Sequence, residues 1–125
     1  MAKEITASAT LSVKTALGVT ADKTDSKKID MTGDAVFHTI QSVTSSGAAI
    51  AYTDAQGNPL MTGEGWVFLK NLSTSLDITI GDDATESTHI ILLKPGEFAL
   101  FRANRDLYAD CASGTGTLEM LVLEP

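Results

Sequence analysis

At 125 residues, 43% of them apolar and 20% charged, the chain is sized for a single globular domain that buries roughly two-thirds of its unfolded surface. Against 16 carboxylates stand 9 lysines and arginines, a net charge of −7, so the basic footprint that nucleic-acid binding requires is missing. One cysteine excludes an internal disulfide and a cysteine-built zinc site, and no stretch reaches the roughly 18 apolar residues that cross a bilayer as a helix.

Met1-Ala2-Lys3-Glu4-Ile5 opens directly into polar alternation with no apolar leader core, so a soluble chain outside the usual export route is expected. Ile5, Ala7, Ala9, Leu11 and Val13 alternate with Thr6, Ser8, Thr10, Ser12 and Lys14. This period of two is the clearest strand signal in the chain, with one apolar and one hydroxyl-rich face. Residues 15–28 are polar and weakly patterned and read as an exposed loop or linker. Ile29-Asp30-Met31 alternates briefly before Thr32-Gly33-Asp34. Between Ala35 and Val43 lie Val36, Phe37, Ile40 and Val43, compatible with a strand or a short helix, and β-branching favours the strand. A short strand around Ile50 and Tyr52 follows, then the turn cluster from Asp54 to Pro59.

The second half is more regular. Gly65 to Leu72 is apolar on both faces, which predicts a central strand. Leu76 to Ile80, Ile90 to Lys94, Glu97 to Arg102, Leu107 to Ala109 and Thr117 to Leu123 complete the series. The Pro95-Gly96 turn separates the second and third of these, and the last strand places Leu118, Met120 and Val122 on one face. Short strands at intervals of roughly 8–12 residues, with no long helical pattern, predict an all-β fold: an antiparallel β-sandwich or barrel. Residues 1–28 are expected to form an N-terminal strand and loop, an arm on the sandwich core of residues 29–125, within one domain.

No constellation with recognisable chemistry emerges. His38 and His89 stand alone, without the closely spaced partner that a histidine metal site needs. Asp82, Asp83 and Glu86, like Asp22 and Asp25, lack the calcium-loop spacing and read as turn formers. Glu64, Glu97 and Glu119 fall at strand ends or on exposed faces with nothing pairing them for acid–base work. No nucleophile elbow and no phosphate-cradling glycine loop is present. Asn71-Leu72-Ser73 matches a glycosylation sequon, but a chain without a signal peptide would not meet that machinery. Cys111 reads as a small buried apolar residue, and Trp66 as core or as an aromatic platform for a sugar or protein partner. The expectation is a protein without catalytic residues, cofactor or metal.

Three segments carry a family resemblance: Gly65 to Leu72, ending in Lys-Asn-Leu; Ile78-Thr79-Ile80-Gly81; and Leu93-Lys94-Pro95-Gly96-Glu97 leading into an apolar strand that ends at Arg102. With Leu107-Tyr108-Ala109 and Leu118 to Leu123 in the same order, residues 65–123 resemble small structural proteins of tailed bacteriophages. The resemblance covers about half the chain and is a pattern of strands and turns, not a catalytic signature. It implies a jelly-roll-like β-sandwich in a virion made in the bacterial cytoplasm. The role implied is a capsid decoration (cement) protein, bound to the major capsid protein on the outer head surface as a homo-oligomer, often a trimer. A tail- or fibre-associated module that binds a receptor or carbohydrate is the alternative within the same family. No nucleic-acid or membrane partner is expected. Ile5, Ala7, Ala9, Leu11 and Val13 are the candidate partner-binding residues, because an exposed strand can pair with a neighbour. The alternative reading is that this strand belongs to its own sandwich.

Overall fold

Ten β-strands and no helix form among the described residues, most of them on period-two alternation. The computed structural model describes residues 4–14, 16, 18, 20–30, 36–49, 65–81, 89–103 and 107–123. The strands are β1 (Glu4–Lys14), β2 (Thr20–Asp30), β3 (Val36–Thr44), β4 (Ala48–Ala49), β5 (Gly65–Asn71), β6 (Ile78–Gly81), β7 (His89–Leu93), β8 (Phe98–Ala103), β9 (Tyr108–Asp110) and β10 (Thr115–Leu123).

Eight of them make two four-stranded sheets, in the orders β3-β10-β5-β8 and β4-β9-β6-β7, and every pairing is antiparallel. Val67 and Leu69 of β5 and Leu118, Met120 and Val122 of β10 point inward from the first sheet. Ile78, Ile80, Leu93 and Ala109 meet them from the second, and all are buried in one continuous core. The fold is therefore an antiparallel β-sandwich, as the strand spacing predicts.

Asn71 ties the two sheets together at one end. It is 0% exposed. Its Nδ2 amide donates to the carbonyls of Leu76 (2.7 Å) and Leu93 (2.9 Å), and its Oδ1 accepts from the Ser73 amide (2.9 Å). Its backbone closes on the turn after β7: Asn71 N donates to Glu97 O and Gly96 N to Asn71 O, both at 2.9 Å. That turn, Lys94-Pro95-Gly96-Glu97, has Pro at its second position and Gly96 at φ 83° at its third, the residues a type II turn requires. Glu97 N donates to Lys94 O, and Lys94 N donates to the Glu97 carboxylate, each at 2.9 Å. The Lys-Asn-Leu and Leu-x-Pro-Gly-Glu patterns are thus two halves of one structural knot. The sequon asparagine is sealed inside it, so it offers nothing to a glycosylating enzyme.

β1 and β2 form a separate two-stranded hairpin, in register from Glu4 opposite Asp30 to Lys14 opposite Thr20. This corrects the reading of residues 15–28 as loop: Thr20 to Lys28 are strand. β2 lacks an apolar face because most of it buries nothing, and its strand character comes from pairing with β1 instead. The expected boundary between residues 28 and 29 falls inside β2, which ends at Asp30. Of the segment from Ala35 to Val43, the described residues take the strand alternative, as β3 (Val36–Thr44), and Ala35 lies outside the described residues. The short strand read around Ile50 and Tyr52 is represented by β4 at Ala48–Ala49. Ile50, Tyr52 and the turn from Asp54 to Pro59 lie outside the described residues.

Candidate functional site

β5 and β10 are apolar on alternate residues of both faces, and the core uses only one of them. The register places Trp66 opposite Leu123 and Arg102, and Phe68 opposite Leu121 and Leu100. The three leucines, Arg102 and both aromatic residues therefore lie on the outer face of the first sheet. Trp66 and Phe68 are half-buried there. Trp66 is neither a core residue nor an open platform, because the base of the arm covers it.

Ile5, the first apolar residue of β1, is 5% exposed. It shares with Trp66, Phe68, Leu100, Leu121 and Leu123 the lining of a cavity of about 210 Å³ between arm and sheet. The Trp66 Nε1–H is buried with no acceptor among the described residues. Further along, Ala7 is half-buried, Ile29 across from Ile5 likewise, and Ala9 is exposed. Beyond it the arm leaves the sandwich. Every described side chain from Thr10 to Lys14 and from Ala21 to Thr24 is exposed, Leu11 to 77%.

The five candidate partner residues are thus divided. Ile5 is committed to its own fold, which removes it from any contact surface. Ala7 is at the edge of the covered zone, and Ala9 and Leu11 are open to solvent. Nothing is described for the Val13 side chain. On the opposite face of the arm, hydroxyl pairs match across the strands. Thr10 and Thr24 are 3.0 Å apart, Ser12 donates to Asp22, and Lys28 pairs with Glu4 at 3.1 Å. These exposed contacts hold the register and contribute little each.

Sequence reasoning missed the outer-face residues that stay exposed. Phe98 is 63% exposed and stacks on Phe68 with ring centroids 5.8 Å apart, and Ile40 is 60% exposed. On the other sheet, Ile90 and Leu92 project outward from β7, an edge strand, at 72% and 52% exposure. The signal was present in the both-face apolar pattern of β5 and in Ile90-Ile91-Leu92-Leu93, where only alternate residues can reach the core.

The potential chemical groups fall apart in space. His38 Nε2 lies 3.4 Å from a Glu119 carboxylate oxygen on the outer face, a contact the sequence did not indicate. Both partners are partly solvated and no third group joins them among the described residues. Cys111 is buried, as expected, and its thiol donates to Ser113 O at 3.2 Å. Asp110 is 7% exposed, and its Oδ1 has no partner among the described residues. No three His, Cys, Asp or Glu side chains come together among the described residues. Asp82, Asp83, Glu86 and Glu64 lie outside them. The site this molecule presents is a surface: an apolar outer face, half covered by a projecting arm. No protein-family model, no curated protein and no solved structure matches the chain.

Proposed function

We propose that this is a structural assembly protein without catalytic activity: a bacteriophage capsid decoration protein that binds the major capsid protein on the outer head surface as an oligomer. One observation carries the reading. Large apolar side chains are exposed on both outer faces of the sandwich, Ile40 and Phe98 on one and Ile90 and Leu92 on the other, with a third exposed site at Leu11 on the arm. A protein that cements a lattice must touch more than one neighbour, and exposed apolar groups of this kind mark interaction surfaces. Many weak contacts repeated around a lattice then act together.

The strand orders support the same reading. The chain changes sheet at each described step from β3 to β10 except between β6 and β7. That alternation fits the jelly-roll layout that the resemblance of residues 65–123 implies, and jelly rolls are common in virion shells. The carbohydrate-binding alternative gains less, because the single tryptophan lies beneath the arm.

The test is to mix the protein with expanded empty heads of the encoding phage. Co-sedimentation in saturable amounts, with heads that resist a higher temperature, is the expected result. A protein that ignores heads but retains glycans or host cells would overturn the assignment.

A further inference from the structure

The arm shows in its own chain what its apolar row packs against. Ile5, Ala7, Ala9 and Leu11 occupy one face of β1, and the first of them is buried on the outer face of the first sheet beside Trp66. The row runs on past the covered zone to Leu11, and the receiving face runs on to a row that has Phe98 and Ile40 at its two edges and Lys70 and Glu119 between them. Both continuations are exposed. We propose that they meet between molecules: the distal arm of one copy, Ala9 to Lys14, docks on the exposed Phe98–Ile40 part of the outer face of a second copy.

Charge favours a second copy as the occupant. Residues 1–30 hold five of the 9 lysines and arginines and four of the 16 carboxylates, a net +1, which leaves −8 on residues 31–125. Sandwich-to-sandwich approach is therefore repelled, while the arm approaches an acidic body without that penalty. An isolated two-stranded hairpin is marginal in water, and one with an 11-residue register extends about 36 Å, well beyond the residues that anchor it. Docking on a neighbour gives its distal half the third layer it lacks. This contact deepens the decoration reading and rests on it only for what the oligomer is for.

The experiment measures native mass of the full chain at roughly 1–100 μM, alongside thermal unfolding and head co-sedimentation. The wild type is expected above the 13.1 kDa monomer mass. Leu11→Asp alters a side chain exposed in the single copy and should keep the wild-type Tm, while Phe98→Ser also loses the stacking on Phe68 and should lower Tm slightly with folding still cooperative; each should weaken self-association about tenfold or more. Mixing the two variants should restore association, because one supplies an intact receiving face and the other an intact arm. Lys23→Glu, opposite Leu11 on the same exposed face, decides the matter if Leu11→Asp fails to fold; it should weaken association through charge alone. A monomeric wild type, or variants that associate normally, overturns the proposal. If the wild type is monomeric yet decorates heads, and Leu11→Asp abolishes that, the arm's partner is the capsid and only the copy-to-copy contact fails. If the oligomer forms through the arm but ignores heads, the contact stands and the decoration role fails.

Discussion

Replacing Asn71 by Ala tests whether the junction of the two sheets is held by one side chain. The substitution removes two donors and one acceptor at once, leaving the carbonyls of Leu76 and Leu93 and the Ser73 amide without their partner. The bond to Leu93 is fully buried, and the other two are partly so. A buried polar group left unpaired costs about 1–3 kcal/mol, and a partly solvated one less, so the sum is about 3–4 kcal/mol. Against a total stability of about 5–15 kcal/mol this is a large fraction. For a chain of this size each kcal/mol moves the midpoint by about 3–5 °C, so Tm should fall by about 10–20 °C. Urea unfolding followed by far-UV circular dichroism is the assay, with the midpoint falling and the m-value unchanged. Asn71→Asp should be at least as harmful, since it keeps the acceptor, loses both donors and buries a charge. Leu72→Ala, one residue on and 39% exposed, should cost under about 1 kcal/mol. If Asn71→Ala proves no worse than Leu72→Ala, the junction is maintained by the backbone ladder and the apolar core, and the role given to Asn71 is wrong.

Four further outcomes follow from the same structure. Met120→Ala, at a fully buried position between the sheets, should cost about 2–5 kcal/mol by equilibrium unfolding. Gly96→Ala meets open space but a φ of 83°, so about 1–2 kcal/mol of backbone strain is its whole cost, readable in Tm. By contrast, Gly116→Ala brings a methyl to 3.2 Å from the Ile78 and Ser73 side chains, which must give by a few tenths of an ångström, so the sign of its Tm change reads whether the buried Ile78 can yield. Ile5→Asp should lift the arm base from Trp66 and red-shift the emission of the single tryptophan, with the sandwich still unfolding cooperatively; unchanged emission would show that Ile5 does not hold the arm down.

Local alternation was enough to read most of the sandwich from the sequence. The period of two in Leu118-Glu119-Met120-Leu121-Val122 determines which side chains can share a face, and Val122, Met120 and Leu118 duly enter the core. The Pro-Gly pair sets its turn by its own backbone limits, without outside help. β2 was illegible for the complementary reason: Thr20 to Lys28 contains no apolar rhythm, and its extended form depends on hydrogen bonding to β1, a partner that composition does not reveal. Trp66 shows the same boundary on the functional side. A residue on a strand that is apolar on both faces can face a core or a second layer, and only the placement of the arm decides. Sequence alone determined the strand class, the main turns and which residues alternate. Tertiary structure decided which face is the inside, that Ile5 belongs to the fold while Leu11 does not, and which apolar residues remain uncovered. Alternation specifies faces within one strand, whereas covering a face depends on contacts between segments far apart in the chain.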